Sequence, residues 1–390
     1  MYSQEQNSPI VLLVTNDFPP RIGGIQSYLR DYISFLDPER TIVFASTQDA
    51  DQAREWDSTV PYTVVRYPHS VMLPTPDVQR TMRTLIRDYG VDTVWFGAAA
   101  PLGLLGKAAK AAGAKRVVAT THGHEVGWSM IPGARHILGL IGKHADAITY
   151  IAQYTQRRFK KAFEAYRDPS HSLEWVWMPS GVDTQTFHPA SQQTVGRVRA
   201  EFGLAEGVPL IVCSSRLVPR KGQDSLIRAL QHIPDAHVII VGEGRYRDAL
   251  EALAKPVADR VHFTGKVSLD CLVDVLGAAD IYAMPARTRG WGLDVEGLGI
   301  VYLEAQACGV PVVVGSSGGA PETVVPDSAV VVDGQDISML IDVLSELIAD
   351  PTRRAAMGKA GRKHVENTWT WQNMASIVRD VMRIPGAENA

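Results

Sequence analysis

The chain has 390 residues, 45% of them hydrophobic and 21% charged, with a formal net charge of −3. That length predicts two domains, each large enough for its own core, and the near-neutral balance argues against a dedicated nucleic-acid binder. No run approaches the roughly 18 apolar residues that a membrane span needs, and residues 1–9 lack the basic start and apolar stretch of a secretion signal. Any membrane contact is therefore expected to be peripheral. Cys213, Cys271 and Cys308 are few and widely spaced in apolar settings. They read as buried thiols of a reducing cytoplasm, neither a disulfide framework nor a zinc site.

Residues 10–15 (IVLLVT) are a continuous β-branched and leucine run, the pattern of a buried parallel strand. A loop, NDFPPRIGG at 16–24, and a helical periodicity over 25–36 follow. Strand, glycine loop and helix open a Rossmann-type unit, but there is no G-x-G-x-x-G and the loop is long. The backbone of Gly23 and Gly24 therefore points to a diphosphate rather than a dinucleotide cofactor, with a plain turn as the other reading. Asp49 and Asp51 have D-x-D spacing, but they precede a polar helix and read as solvated acid. Further strands are predicted at 41–45, 63–67, 93–96, 116–120, 147–151 and 175–178, with helices at 78–89, 101–112 and 153–166 among them.

In the helix over 78–89, Arg80, Arg83 and Arg87 line one face, and Val78, Met82, Leu85 and Ile86 supply apolar contacts. Residues 157–161 (RRFKK) set Phe159 in a denser basic cluster. Either helix suits an anionic lipid surface, although a solvated face is the favoured reading. At 120–125, TTHGHE places two histidines in a glycine loop after a strand, with His122 the stronger functional candidate and His124 the weaker. No Ser–His–Asp set or metal-ligand cluster accompanies them.

Alternation restarts with strands at 210–214, 237–241, 261–264, 281–284 and 311–314, and helices at 223–231, 246–253 and 269–277. The fold class is thus α/β, with two Rossmann-like doubly wound parallel sheets joined somewhere in 181–189. In SSRLVPRKG, 214–222, Arg216 and Lys221 sit on the carboxyl side of a strand, where open α/β sheets bind ligands. A guanidinium and an ammonium on one diphosphate would neutralise the leaving nucleotide, whereas a solvated basic loop is the alternative. VGEGR at 241–245 is a second glycine turn, explained almost as well by packing as by binding.

In EGLGIVYLE, 296–304, two glutamates flank seven residues, and a helix over 299–307 buries Ile300, Leu303 and Ala307 on one face. The glycines at its start let a phosphate or sugar oxygen approach bare amides. A strictly helical span would put about 12 Å of rise between Glu296 and Glu304. That is too far for a hydrolase carboxylate pair and suits two ends of one long ligand. Helices at 337–349, 351–366 and 371–384 close the chain.

The E-x7-E spacing, continued by A-x-A-x-G-x-P-V-V at 305–313 and GGAPE at 318–322, resembles the signature of the family 4 retaining glycosyltransferases of GT-B fold. R-L-x-x-x-K-G at 216–222, the glycine loop at 16–24, F-x-G-x-V at 263–267 and GVD-x-x-x-F at 181–187 extend the resemblance over nearly the whole chain. The resemblance implies two domains facing a cleft. Residues 1–185 form the acceptor side with a helix over 371–390 crossing back, and 186–370 form the nucleotide-sugar donor domain.

The same resemblance implies roles for individual residues. Arg216, Lys221, Gly23 and Gly24 would hold the diphosphate, and Glu296 with Gly297, Leu298, Gly299 and Ile300 the sugar. Glu304 would take the ribose, Lys266 and Val267 the base, and His122 would lie near the transferred sugar, making His122, Arg216, Lys221 and Glu296 the catalytic set. Positive side chains and a helix terminus would stand in for a metal, so neither metal nor cofactor is implied. Segments 15–28 and 286–299 are similar to the GDP-mannose-dependent phosphatidyl-myo-inositol mannosyltransferases, above all those adding the second mannose. This implies GDP-mannose as donor, the inositol 6-hydroxyl of phosphatidylinositol monomannoside as acceptor, and a peripheral position on the inner face of the cell membrane. A UDP-sugar-dependent family 4 transferase acting on another lipid or sugar is the alternative. Residues 287–294 are longer than in many family members and read as an acceptor-side or gating loop.

Overall fold

The computed structural model describes residues 8–21, 23–166, 168 and 172–383. The chain divides into two compact units, Met1–Ser180 with Gln372–Ala390, and Gly181–Trp371. The sequence reading divides it at 185/186 and 370/371. The shift at the first crossing has a local cause: residues 182–187 are tied to the second unit. Val182 N–H donates to Trp369 O at 2.7 Å, and Arg362 donates to the carbonyls of Thr184 and Phe187 at 3.3 and 3.0 Å.

The described strands of the first unit are β1 (Val11–Thr15), β2 (Thr41–Ser46), β3 (Thr63–Tyr67), β4 (Thr93–Phe96), β5 (Arg116–Thr120), β6 (Ala147–Tyr150) and β7 (Glu174–Trp177). They form one parallel sheet in the order β3-β2-β1-β4-β5-β6-β7. Val11 lies opposite Thr41 on one side and Thr93 on the other, so β1 is interior, and its unbroken apolar run is buried throughout. Helices cover the sheet, as purely parallel strands require.

The second unit repeats the plan with β8 (Leu210–Ser214), β9 (His237–Val241), β10 (Val261–Gly265), β11 (Ile281–Met284), β12 (Val312–Gly315) and β13 (Ala329–Val332). Its order is β10-β9-β8-β11-β12-β13, again all parallel. In both sheets the order reverses beside the first strand. This places ligand-binding crevices outside the carboxyl ends of β1/β4 and of β8/β11.

Several elements went unforeseen. The helix Pro132–His144 contains Gly139 and Gly142, which weaken its signature but make room for neighbours. A Cβ on Gly142 would sit 2.1 Å from Phe163 O, and one on Gly139 would sit 2.6 Å from the Tyr166 ring. The helices Glu125–Met130 and Gln192–Glu201 and the four-residue strand β13 were too short or too polar to stand out. The 311–314 strand is observed as β12, one residue later. Of the cysteines, Cys213 and Cys308 are buried, whereas Cys271 is only partly so, a correction to the reading of all three as interior.

The helix Trp371–Met382 packs on the first unit through Met374, Val378 and Val381. Thr93 Oγ1 donates to Met382 O at 2.9 Å, and the buried Arg116 donates through Nε to Val381 O at 2.8 Å. The expected end of this helix, Ile384, lies outside the described residues.

Candidate functional site

In the second unit, two buried tyrosines set the floor of the β8/β11 crevice. The Tyr282 hydroxyl donates to Ser214 O at 3.0 Å and that of Tyr302 to Met284 O at 2.6 Å, fixing the points where the loops leave the sheet. Burial raises both phenols well above their ordinary range, so they remain neutral donors. From β8 the chain runs through Arg216 to Lys221 and turns at Gly222, with φ +77. A Cβ there would lie 2.0 Å from Pro285 O, so glycine is required to let the two loops touch.

That contact brings Lys221 to Glu296. Both are buried, and Lys221 Nζ lies 2.7 Å from Glu296 Oε2. The sequence reading gave Lys221 to phosphate and Glu296 to sugar, and did not anticipate that each is the other's counter-ion. Arg220, which it left out, joins them: its Nε is 3.7 Å from Glu296 Oε2, and its Nη1 donates to Asp294 Oδ1 at 3.3 Å. Glu296 Oε2 has no well-directed hydrogen bond, and neither has Arg220 Nε. The cluster therefore retains unspent hydrogen-bonding capacity, which is where a ligand gains most. Arg216 is exposed, and its guanidinium forms no ion pair among the described residues.

The backbone of Glu296 is held from the other side by residues 317–319. Its N–H donates to Ser317 Oγ at 3.1 Å, and its carbonyl accepts from Gly319 N–H at 3.0 Å. A Cβ on Gly318, with φ +58, would be 1.9 Å from that carbonyl. The GGAPE run thus works as a clamp on Glu296. Gly297, Leu298 and Gly299 lead non-helically into the helix Ile300–Ala307, which has no side-chain cap, so its first amides are free of one. The span from Glu296 to Glu304 is therefore not strictly helical, and the 12 Å rise does not apply to it. The side chain of Glu304, in the helix and partly buried, has no hydrogen-bond partner among the described residues. Burial pushes its carboxyl up to about 7, with Lys221 pulling the other way.

The glycine turn after β9 is a packing device. Cβ atoms on Gly242 and Gly244 would lie 2.2 Å from Ser215 O and 2.2 Å from Leu217 O. Gly242 N–H also donates to Gly265 O at 2.8 Å, joining this turn to the loop after β10. There Lys266 is exposed and Val267 partly buried, ahead of a helix capped by Ser268.

In the first unit, Gly23 and Gly24 open the helix Gly24–Ile33, whose N-terminus has no side-chain cap. A Cβ on Gly23 would meet Gln26 Oε1 at 2.3 Å, and Gln26 is itself anchored to Asp17 Oδ1 at 2.8 Å. At the carboxyl end of β5, the His122 ring shares a 2.7 Å hydrogen bond through Nε2 with Gly97 O and lies edge-on to Tyr28 at 5.0 Å. Burial lowers its pKa, with Glu125 acting in the opposite direction. Sequence reasoning missed Glu125. It is fully buried, and its Oε2 accepts the N–H groups of His122 and Gly123 at 3.1 and 3.0 Å. Its Oε1 is 3.4 Å from His124 Nε2. A glutamate closing T-T-H-G-H-E was the available signal.

Asp49 caps the helix Ala50–Asp57 by accepting from Asp51 and Gln52 N–H, each at 3.0 Å. In the helix Pro76–Tyr89, Val78, Met82, Leu85 and Ile86 are all core, and so is Phe159 in the helix Gln153–Phe163. Those side chains therefore face inward and are not available to a lipid, which corrects the apolar half of that expectation. No described helix is long and apolar enough to cross a membrane.

A model of the family described as Glycosyltransferase Family 4 matches residues 22–185, and one described as Glycosyl transferases group 1 matches residues 196–364. The chain is 55% identical over 376 residues to the GDP-mannose-dependent monoacylated alpha-(1-6)-phosphatidylinositol monomannoside mannosyltransferase of Corynebacterium glutamicum, covering 95% of this chain and 97% of that one. It is 49% identical over 381 residues to the GDP-mannose-dependent alpha-(1-6)-phosphatidylinositol monomannoside mannosyltransferase of Mycolicibacterium smegmatis, covering 95% and 98%. Among solved structures, Anabaena Alr3699/HepE in complex with UDP matches with a TM-score of 0.77 at 19% identity, over 95% of this chain and 98% of that one, a likeness of fold alone. The chain belongs to the family 4 glycosyltransferases of GT-B fold.

Proposed function

We propose that the chain transfers mannose from GDP-mannose to the inositol 6-hydroxyl of phosphatidylinositol monomannoside, with retention at the anomeric carbon. The observation that carries this reading is the 55% identity, over almost the full length of both chains, with the Corynebacterium glutamicum mannosyltransferase. The Lys221–Glu296 cluster supports it chemically. A buried ion pair at 2.7 Å can part to serve two portions of one ligand, the ammonium taking a phosphate oxygen and the carboxylate the mannose hydroxyls. Arg216, exposed and without an ion pair among the described residues, supplies the second cation for the diphosphate.

The amides at the uncapped start of Ile300–Ala307 favour the same negative charge. The Glu304 carboxyl, without a hydrogen bond among the described residues, accepts from the ribose hydroxyls, while the loop holding Lys266 and Val267 takes the base through its main chain. In the first unit, the uncapped amides of Gly23 and Gly24 suit phosphate oxygens, and His122 suits a sugar. The donor's bond from the anomeric carbon to phosphate oxygen breaks as the bond to the acceptor oxygen forms on the same face. The acceptor's proton passes to the departing phosphate. The positive charge of Lys221 and Arg216 makes a metal unnecessary for this step. The enzyme works at the cytoplasmic face of the membrane, with the exposed Arg80, Arg87, Arg157 and Lys161 facing anionic headgroups.

The test is turnover with GDP-mannose and with UDP-glucose, each with and without phosphatidylinositol monomannoside, in the presence of a chelator. Transfer only from GDP-mannose to the lipid is expected. Transfer from UDP-glucose would overturn the donor assignment, and loss of activity in chelator would overturn metal independence.

A further inference from the structure

The segment leading into Glu296 is closed on itself. Arg289 N–H donates to Asp294 O at 2.9 Å, and Asp294 N–H donates back to Arg289 O at 3.2 Å. Its base is welded to the second unit: Arg287 makes a two-pronged contact with Asp224 at 2.8 and 2.9 Å and reaches Ser225 Oγ at 2.9 Å. Arg287 N–H also donates to Arg220 O at 2.8 Å, while the Arg220 guanidinium holds Asp294.

At the tip, Gly290, Trp291 and Gly292 have φ of 56°, 58° and 91°. Glycines take such values freely, whereas a tryptophan does so only under strain. The result of that strain is an indole held in solvent: Trp291 is 96% exposed, beside Leu293 at 53%. No residue of the core gains from this placement.

We propose that Trp291 is the platform on which a polyol ring of the acceptor stacks, with the loop's register to Glu296 set by Arg220 and Asp294. This rests on the reading that the chain glycosylates a phosphoinositide-type lipid, and it names the residue that recognises the ring. Three features favour a ring over a bilayer as the occupant. Only five positions separate Trp291 from Glu296, roughly 17 Å of chain even if fully extended. The loop is fixed to the strand-end segments that carry Lys221 and Glu296, a precision that simple anchoring on lipid does not need. At the base of the same loop Arg289 and Asp294 set a partly exposed cation and anion 3.9 Å apart, a donor and an acceptor for ring hydroxyls a few residues from the indole.

The experiment measures transfer from GDP-mannose to a short-chain, water-soluble phosphatidylinositol monomannoside below its aggregation concentration, for the unmodified chain, Trp291→Phe, Trp291→Ala and Trp291→Gly. Trp291→Ala and Trp291→Gly should raise the acceptor KM about tenfold and Trp291→Phe much less, as expected when a stacking surface is lost or trimmed. The KM for GDP-mannose should not change. Relief of the left-handed strain should leave the melting temperature of Trp291→Gly no lower than that of the unmodified chain. An unaltered acceptor KM in Trp291→Ala would overturn the proposal. So would a loss seen only with acceptor embedded in anionic vesicles, which would make the tip a bilayer anchor. Failure of the unmodified chain to use either form of the acceptor would instead overturn the proposed function, and this assignment with it.

Discussion

Replacing Glu304 by glutamine should make the protein more stable at alkaline pH and a poorer binder of the donor. Burial raises this carboxyl from 4.5 to about 7, so the native state binds its proton more tightly than the unfolded chain does. For a raised acid the sign is unfavourable. Between pH 4.5 and 7 the native protein holds more proton than the unfolded chain, and wild-type stability falls as pH rises through that window, levelling off above it. The shift corresponds to at most about 3 kcal/mol, and about 1–2 kcal/mol after allowing for the part of the side chain that reaches solvent. The neutral amide of Glu304→Gln escapes this cost. The assay is urea unfolding of both proteins at pH 4.5 and pH 8. The variant's advantage should be near zero at the lower pH and reach its full size at the higher one. In parallel, its affinity for GDP-mannose at pH 8 should drop, because an amide accepts ribose hydroxyls less strongly than a carboxylate. A stability difference that does not vary with pH would refute the buried-carboxyl reasoning, and unchanged donor affinity would refute the ribose role.

Lys221→Met should abolish transfer and also destabilise the second unit by about 3–5 kcal/mol, because it strands the Glu296 carboxylate in the interior; chemical denaturation checks this, and a variant as stable as wild type would show that the pair is not buried in solution. Gly318→Ala should cost activity, since its Cβ would fall 1.9 Å from the carbonyl of Glu296; normal turnover would refute the clamp. Gly142→Ala should lower the melting temperature without changing the KM for either substrate, because it forces apart the helices Pro132–His144 and Gln153–Phe163.

The sheets were legible because each interior strand is an unbroken apolar run, as in VLLVT of β1 and LIVCS of β8, set between helical periods. β13 was not, since AVVV is brief and partly open to solvent. The helix Pro132–His144 was hidden by the glycines that its neighbours require, so close packing erased the local signal. Residue types at the site could be read, but their pairing could not. Lys221 and Glu296 are far apart in sequence, and they meet only through tertiary contacts such as the close approach of Gly222 to Pro285 O and the bond from Arg287 N–H to Arg220 O. The same holds for Glu125, whose value lies in the two amides it receives. The left-handed backbone at Trp291 leaves no trace beyond its glycine neighbours.

The helix Trp371–Met382, which completes the first unit, is made only after the whole of the second unit. While Gly181–Trp371 is being synthesised, roughly ten to forty seconds at about 5–20 residues per second, the first sheet exists without Trp371–Met382. During that interval Arg116, buried in the finished protein, has no Val381 carbonyl to donate to, and Thr93 has no Met382. The nascent first unit must therefore wait, incomplete, for a segment that follows the second unit in the chain. A chain stopped at residue 370 should expose the surface that Met374, Val378 and Val381 cover and be cut readily by protease in the first unit, while the second unit stays resistant. Equal resistance of both units would show that the first completes itself without its late arrival.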